Sequence, residues 1–96
     1  MKTVLFHPAA EAEMIDAAVY YETKQKDLGR RFLAFIQEAI ARIKINPLLH
    51  PVVYLDVRRC LTKTFPFAVL FRILHDRIVV MAVMHLHREP GYWKNR

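Results

Sequence analysis

The chain has 96 residues, 54% of them hydrophobic, with 15 basic and 9 acidic side chains and a formal net charge of +6. That length holds a single domain, residues 1–96, and an apolar content that excludes a disordered chain and exceeds what a small core hides, so part of it is expected to meet a partner. The one cysteine, Cys60, excludes an internal disulfide and a cysteine-based zinc site, and no stretch nears the ~20 apolar residues of a membrane span, so a soluble, cytoplasmic protein is expected.

Residues 2–6 read as a short strand, broken at His7-Pro8. Pro8 suits the first position of a helix, where its missing N–H costs nothing. Glu11, Glu13 and Asp16 then lie near the positive end of that helix, and Met14, Ile15, Ala18 and Val19 make an apolar face through about Lys24. Asp27-Leu28-Gly29 marks a tight turn, with Asp27 as the expected N-cap of the next helix. Leu28, Phe32, Phe35, Ile36, Ala39, Ile40 and Ile43 recur every three or four residues and predict a second helix, stopped by Asn46-Pro47. Residues 47–56, with Pro47 and Pro51, predict an irregular connection.

Three strands are expected to follow: Val57–Thr64, Phe67–Leu74 and Arg77–His87, the last two joined by a two-residue turn at His75-Asp76. The last strand is apolar on both faces and so is placed centrally. The order is β-α-α-β-β-β. It predicts an α+β fold, with a helical hairpin packed on one face of a mainly antiparallel four-stranded sheet and the other face free for chemistry.

Charge is unevenly spread. Residues 1–22 hold Glu11, Glu13, Asp16 and Glu22 against Lys2, whereas residues 58–96 hold eight bases against Asp76 and Glu89. Such asymmetry directs an anionic partner, nucleic acid or an acidic protein segment, to the C-terminal half. The last twelve residues, from His85 to Arg96, are polar, basic and aromatic directly after the apolar run Ile78–Met84, and are the part of the chain that reads most as functional.

The whole pattern resembles the RelE/ParE superfamily of bacterial toxins, most closely its ParE-type, plasmid-stabilisation branch. The resemblance rests on Phe6-His7-Pro8-Ala9, Tyr20-Tyr21, Leu28-Gly29-Arg30-Arg31-Phe32, Asn46-Pro47, Val57-Arg58-Arg59, Phe65-Pro66-Phe67 and His85-Leu86-His87-Arg88-Glu89-Pro90-Gly91-Tyr92-Trp93, in that order. It implies the growth-inhibiting toxin of a type II toxin–antitoxin pair. Its partners would be a cognate antitoxin with an acidic wrapping segment, and either DNA gyrase or the ribosome with its mRNA as target. A dimer or a hetero-oligomer with the antitoxin is expected, without a membrane and without a cofactor.

If the chain is an enzyme, the resemblance implies a metal-independent endoribonuclease. Cleavage by an RNA 2′-hydroxyl needs a base, an acid and a cation for the phosphorane charge, roles suited to histidine and arginine. The catalytic candidates are Arg59, His85, His87 and Arg88; Arg58, Lys63, Arg72, Tyr92 and Trp93 are candidates for binding. The pair His85-x-His87 lacks a third ligand, so no metal site is expected. Ribonuclease members carry an arginine where this chain has Ala68, and a second basic residue where it has Leu61. These departures favour a ParE-like gyrase poison over a RelE-like ribonuclease, with an inactive, antitoxin-binding member as a further alternative.

Overall fold

The computed structural model describes residues 2–96. The elements run β1 (Thr3–Phe6), α1 (Pro8–Lys24), α2 (Leu28–Ile45), β2 (Val52–Tyr54), β3 (Val57–Leu61), β4 (Phe67–Ile73) and β5 (Arg77–His85), with a 3-10 turn at Pro47–Leu49 before β2. Two helices pack on one five-stranded mixed sheet of order β1-β5-β4-β3-β2. β1 runs parallel to β5, and every other neighbouring pair is antiparallel.

Local chemistry starts each helix. Pro8 takes the first position of α1, and the His7 ring caps it, its Nδ1 accepting the Ala9 N–H at 3.1 Å. α2 is capped otherwise than the sequence suggests. Asp27 occupies the cap position but is left-handed, with φ 67°, and its side chain caps nothing. The Glu22 carboxylate near the end of α1 does so instead, accepting the N–H of Asp27 at 2.9 Å and of Gly29 at 3.0 Å. Gly29 is buried against α1, where a Cβ would collide with the Ala18 carbonyl oxygen, so the hairpin closes only around a residue without a side chain.

α2 buries Phe32, Ile36, Ala39 and Ile43 on one stripe, the i, i+4, i+7, i+11 pattern of a helix lying on a sheet. Together with Cys60, Phe65, Phe67, Val69, Phe71, Ile78, Val80 and Val83 they form the main core. Phe32 is fully buried, its ring 5.4 Å from Tyr21, 5.3 Å from Phe65 and 4.9 Å from Phe67. Truncating such a side chain to alanine costs about 3–5 kcal/mol.

The sheet departs from the sequence reading in three ways. It has five strands rather than four, because Val52–Tyr54 adds an edge strand inside the stretch read as irregular. This strand is only three residues long and sits between Pro51 and the positive-φ Leu55, too short for alternation to register. β3 ends at Leu61 and β5 at His85, so His87 lies in the turn beyond the sheet. Finally, the register between β4 and β5 slips at Leu70/Phe71: Leu70 faces Ala82 and Phe71 faces Val80. Met81 is the extra residue of this bulge. It reverses the alternation along β5, so Val80 and Val83 both face the helices, and strict alternation misassigns faces on either side of it.

The face away from the helices is not free, as the sequence suggested. Val57, Ala68, Leu70, Ala82 and Trp93 form a second, smaller core there, flanked by Tyr54, Met84 and Tyr92. The C-terminal segment folds back to cover that side, and Trp93 is 5% exposed. Among the described residues, no helix is long and apolar enough to cross a membrane.

Candidate functional site

The C-terminal segment is held by the way β1 leaves the sheet. β1 pairs with β5 only as far as Val80. His7 makes one more ladder bond, its N–H donating to the Val80 carbonyl at 2.9 Å, and then Pro8 turns the chain into α1. From Met81 onward this edge of β5 has no strand beside it, leaving main-chain groups that need partners.

Side chains supply them. Glu13 on α1 accepts the Val83 N–H at 3.1 Å through Oε1. The Arg96 guanidinium donates to the Met81 carbonyl at 3.0 Å, and grips Glu13 through Nη1–Oε1 at 2.9 Å and Nη2–Oε2 at 3.1 Å. This is the two-pronged arginine–carboxylate geometry, which is both strong and directional. Arg88 adds a third hold on the same carboxylate, Nη1 to Oε2 at 3.1 Å. Both cations lie over the Tyr92 ring, the Arg88 guanidinium carbon 3.6 Å and that of Arg96 5.1 Å from its centre.

Burial alone would raise the Glu13 carboxyl, but the hydrogen bonds and charge of Arg96 and the Val83 N–H outweigh it, and the group is held below its ordinary value. Burial pushes the Tyr92 phenol up, and the neighbouring Glu13 carboxylate pushes it further.

Next to this lock, on the face with the second core, lies a cavity of about 280 Å³ walled by Tyr54, Leu70, Met84 and Trp93, with Arg59 and Lys94 among its lining residues. β3 places Arg59 there by pairing it with Leu70. The Lys94 ammonium sits 4.4 Å from the centre of the Tyr54 ring, and that ring meets Trp93 edge-on at 5.8 Å. Among the described residues, no acidic side chain pairs with Arg59 or Lys94. An uncompensated guanidinium and ammonium over aromatic walls suit an anionic or carboxylate-bearing surface.

The other sequence candidates are dispersed. Arg72 is paired with Asp56 at 3.0 Å. Arg58 donates to the carbonyls of His50 at 2.7 Å and Leu48 at 3.3 Å, and so braces the connection before β2. Lys63 lies 3.8 Å from Glu38, which Arg42 already holds at 2.8 Å. His85 pairs with Phe67 in register, its ring 5.1 Å away, which puts it on the helix-side face, opposite to Arg59. Its Nδ1 accepts the His87 N–H at 3.0 Å. Ala68, at the position where ribonuclease members carry arginine, is fully buried in the second core. Among the described residues no cluster of His, Cys, Asp and Glu is arranged to hold a metal ion.

Sequence reasoning missed Glu13 and Arg96. Glu13 reads as a helix-dipole acid, yet it sits three residues after buried Ala10 and four before half-buried Ala17. A carboxylate on the inward stripe of a helix is the available signal, because it needs a buried cation. Arg96 carries no such signal, being one more base in a basic tail.

Comparison with known proteins agrees with this architecture. The family model described as the ParE toxin of the type II toxin–antitoxin system parDE matches residues 4–90. No curated protein sequence matches the chain significantly. Among solved structures, the fold is similar to a chain of the chromosomal ParDE toxin–antitoxin system from P. aeruginosa, with a TM-score of 0.66 at 16% identity, covering 91% of this chain and 98% of that one. The structural likeness shows the shared fold; the family match spans nearly all of the sequence, and the chain belongs to the ParE toxin family of type II toxin–antitoxin systems.

Proposed function

We propose that the protein arrests growth by binding DNA gyrase rather than by cutting RNA, and that a cognate antitoxin neutralises it. One observation carries the choice of target: Arg59 and His85 project from opposite faces of the sheet. A ribonuclease needs its acid, base and phosphate-binding cation within hydrogen-bond reach of one phosphodiester. The buried Ala68 deepens the deficit, since losing a cation that stabilises transition-state charge costs about 10²–10³ in rate.

In this reading Arg59 and Lys94 contact the target, while Tyr92 and Trp93 hold the tail that completes the cavity. Arg88 is half exposed and joins the contact from the Glu13 lock. The antitoxin is expected to carry an acidic segment, because a +6 surface speeds encounter with an anionic partner and orients it.

Induction in growing cells tests the target. Gyrase poisoning predicts filamentation and a DNA-damage response with intact transcripts, and loss of the phenotype in an Arg59→Glu/Lys94→Glu variant that remains folded. Rapid transcript cleavage with arrested translation would refute it in favour of a ribonuclease. Undisturbed growth would also refute it and identify an inactive member.

A further inference from the structure

On the helix side of the sheet, opposite to Arg59, lies another cavity, of about 500 Å³, lined by Asp16, Ala17, Tyr20 and Tyr21 of α1, Phe67 of β4 and His85 of β5. The function proposed above gives these residues no role, although Tyr20-Tyr21 and His85 stand out in the sequence. The walls are rings set at steep angles to one another. Tyr20 meets Tyr21 with centres 5.5 Å and planes 72° apart, Tyr21 meets Phe67 at 6.2 Å and 65°, and Phe67 meets His85 at 5.1 Å and 76°. Rings turned this far from their neighbours present π faces in several directions instead of stacking. Two of the walls are fixed by the core: Phe67 is 6% exposed, and Tyr21 packs on Phe32 at 5.4 Å and Phe65 at 4.9 Å. Tyr20, 57% exposed, and Asp16, also exposed, stand at the solvent side.

Asp16 brings the negative charge. It lies one turn before Tyr20 and is in no ion pair among the described residues. From Thr3 to Thr23 the chain holds no lysine or arginine. Two cations from outside that stretch contact α1 side chains. Lys24 lays its ammonium 5.0 Å from the centre of the Tyr20 ring, and Arg88 pairs with Glu13 at 3.1 Å. Neither is among the residues that line the cavity, and Lys24 shows that the Tyr20 ring attracts a cation.

Ring faces beside an uncompensated carboxylate suit a flat, weakly hydrated cation. The chain displays this recognition once already: Arg88 pairs with Glu13 while its guanidinium carbon sits 3.6 Å from the centre of the Tyr92 ring. Asp16 and Tyr20 offer the same two components, a carboxylate and a tyrosine, one helical turn apart. An exposed ion pair alone contributes little, but rings on adjoining sides keep water from it and strengthen it.

We infer that this cavity receives the guanidinium of an arginine side chain from a partner protein, with Asp16 accepting its N–H groups and the rings of Tyr20, Tyr21, Phe67 and His85 around it. A site for a free small molecule encloses its ligand on most sides, whereas the exposed side here admits a side-chain head with its stem left outside. Ile15 and Val19, 50% and 58% exposed on the next row of α1, meet the apolar neighbours of that arginine. Such a contact uses the face opposite to Arg59 and needs none of the cavity that Arg59 and Lys94 line.

Titration of the full chain with Nα-acetyl-arginine amide, blocked at both ends as a residue within a chain is, tests this by NMR. Saturable binding in the millimolar range is expected, with shifts concentrated at Tyr20, Tyr21 and His85. Asp16→Asn and Tyr20→Leu, both at exposed positions, are each expected to weaken it about tenfold with the circular dichroism unchanged. Glu11→Gln, at an exposed carboxylate on the same helix, is the control and is expected to bind as the wild type does. Nα-acetyl-citrulline amide, which keeps the shape and lacks the charge, is expected to leave these resonances in place. Equal binding of the citrulline probe, no saturation with the arginine probe, or unchanged affinity in Asp16→Asn would overturn the inference. Tighter binding of tetramethylammonium would also overturn it and assign the cavity to a free quaternary cation.

Discussion

Replacing Glu13 by alanine is expected to destabilise the protein out of proportion to the loss of one helix carboxylate. The carboxylate is 13% exposed and receives hydrogen bonds from the Val83 N–H, Arg88 and Arg96. Its removal leaves the Val83 N–H without an acceptor and the Arg96 guanidinium, 17% exposed, without its counter-charge. A hydrogen bond to a charged group contributes about 1.5–3 kcal/mol, and an orphaned buried donor costs about 1–3 kcal/mol. Partial rehydration of Arg88, which is 52% exposed, offsets some of this. A net loss of about 3 kcal/mol follows, which lowers the melting temperature of a domain this size by roughly 10–20 °C. Thermal unfolding followed by circular dichroism, with the fluorescence of the single tryptophan, Trp93, reporting the tail, measures both effects. Glu11→Ala, an exposed neighbour on the same helix, is the control and should cost under about 1 kcal/mol. Equal losses for the two variants, or additive effects of Glu13→Ala and Arg96→Ala in a double-mutant cycle, would refute the lock.

Acid should dissolve the same lock. The Glu13 carboxyl titrates lower in the folded chain than its ordinary value of 4.5, so its contribution is fully present above that value and is lost as pH falls through the folded value; unfolding midpoints between pH 7 and 3 should show this, with a shallower fall in Glu13→Gln. Gly29→Ala should cost about 1–3 kcal/mol in chemical denaturation despite the usual gain from replacing a helical glycine, because the Ala18 backbone must move to admit a Cβ; a neutral or stabilising result would contradict the close helix approach. Glu22→Ala should cost about 1 kcal/mol through the lost α2 cap, whereas Asp27→Gly should hold or raise stability, because the Asp27 side chain caps nothing and its φ of 67° suits glycine. Burial pushes the Cys60 thiol up, so a thiol reagent at pH 8 should label the native chain at least tenfold more slowly than the urea-unfolded chain; equal rates would contradict its burial.

The fold was legible where periodicity was long. Seventeen and eighteen residues of helix, bounded by Pro8 and Asn46-Pro47, declare themselves, as does the hairpin around His75-Asp76, where the Leu74 N–H meets the Arg77 carbonyl at 2.7 Å. β2 was hidden by its brevity, and the faces of β5 by a bulge that no residue type announces. The family likeness was also legible, from the order of weak motifs rather than from any one of them. The site was less so. Which cations are free depends on tertiary neighbours: Arg72 and Arg59 look alike in sequence, yet one meets Asp56 and the other meets no acid among the described residues. The sense of Glu13 and Arg96, 83 residues apart, emerges only when β1 stops short along β5 and leaves an edge for them to close.

The proposed engagement of gyrase is open to a direct trial with purified components. Incubated with gyrase, ATP and relaxed plasmid, the wild-type chain is predicted to block supercoiling and to trap covalently cleaved DNA, with both effects lost in Arg59→Glu/Lys94→Glu. Gyrase that supercoils normally in excess toxin, alongside cleavage of mRNA on ribosomes by the same preparation, would contradict the account.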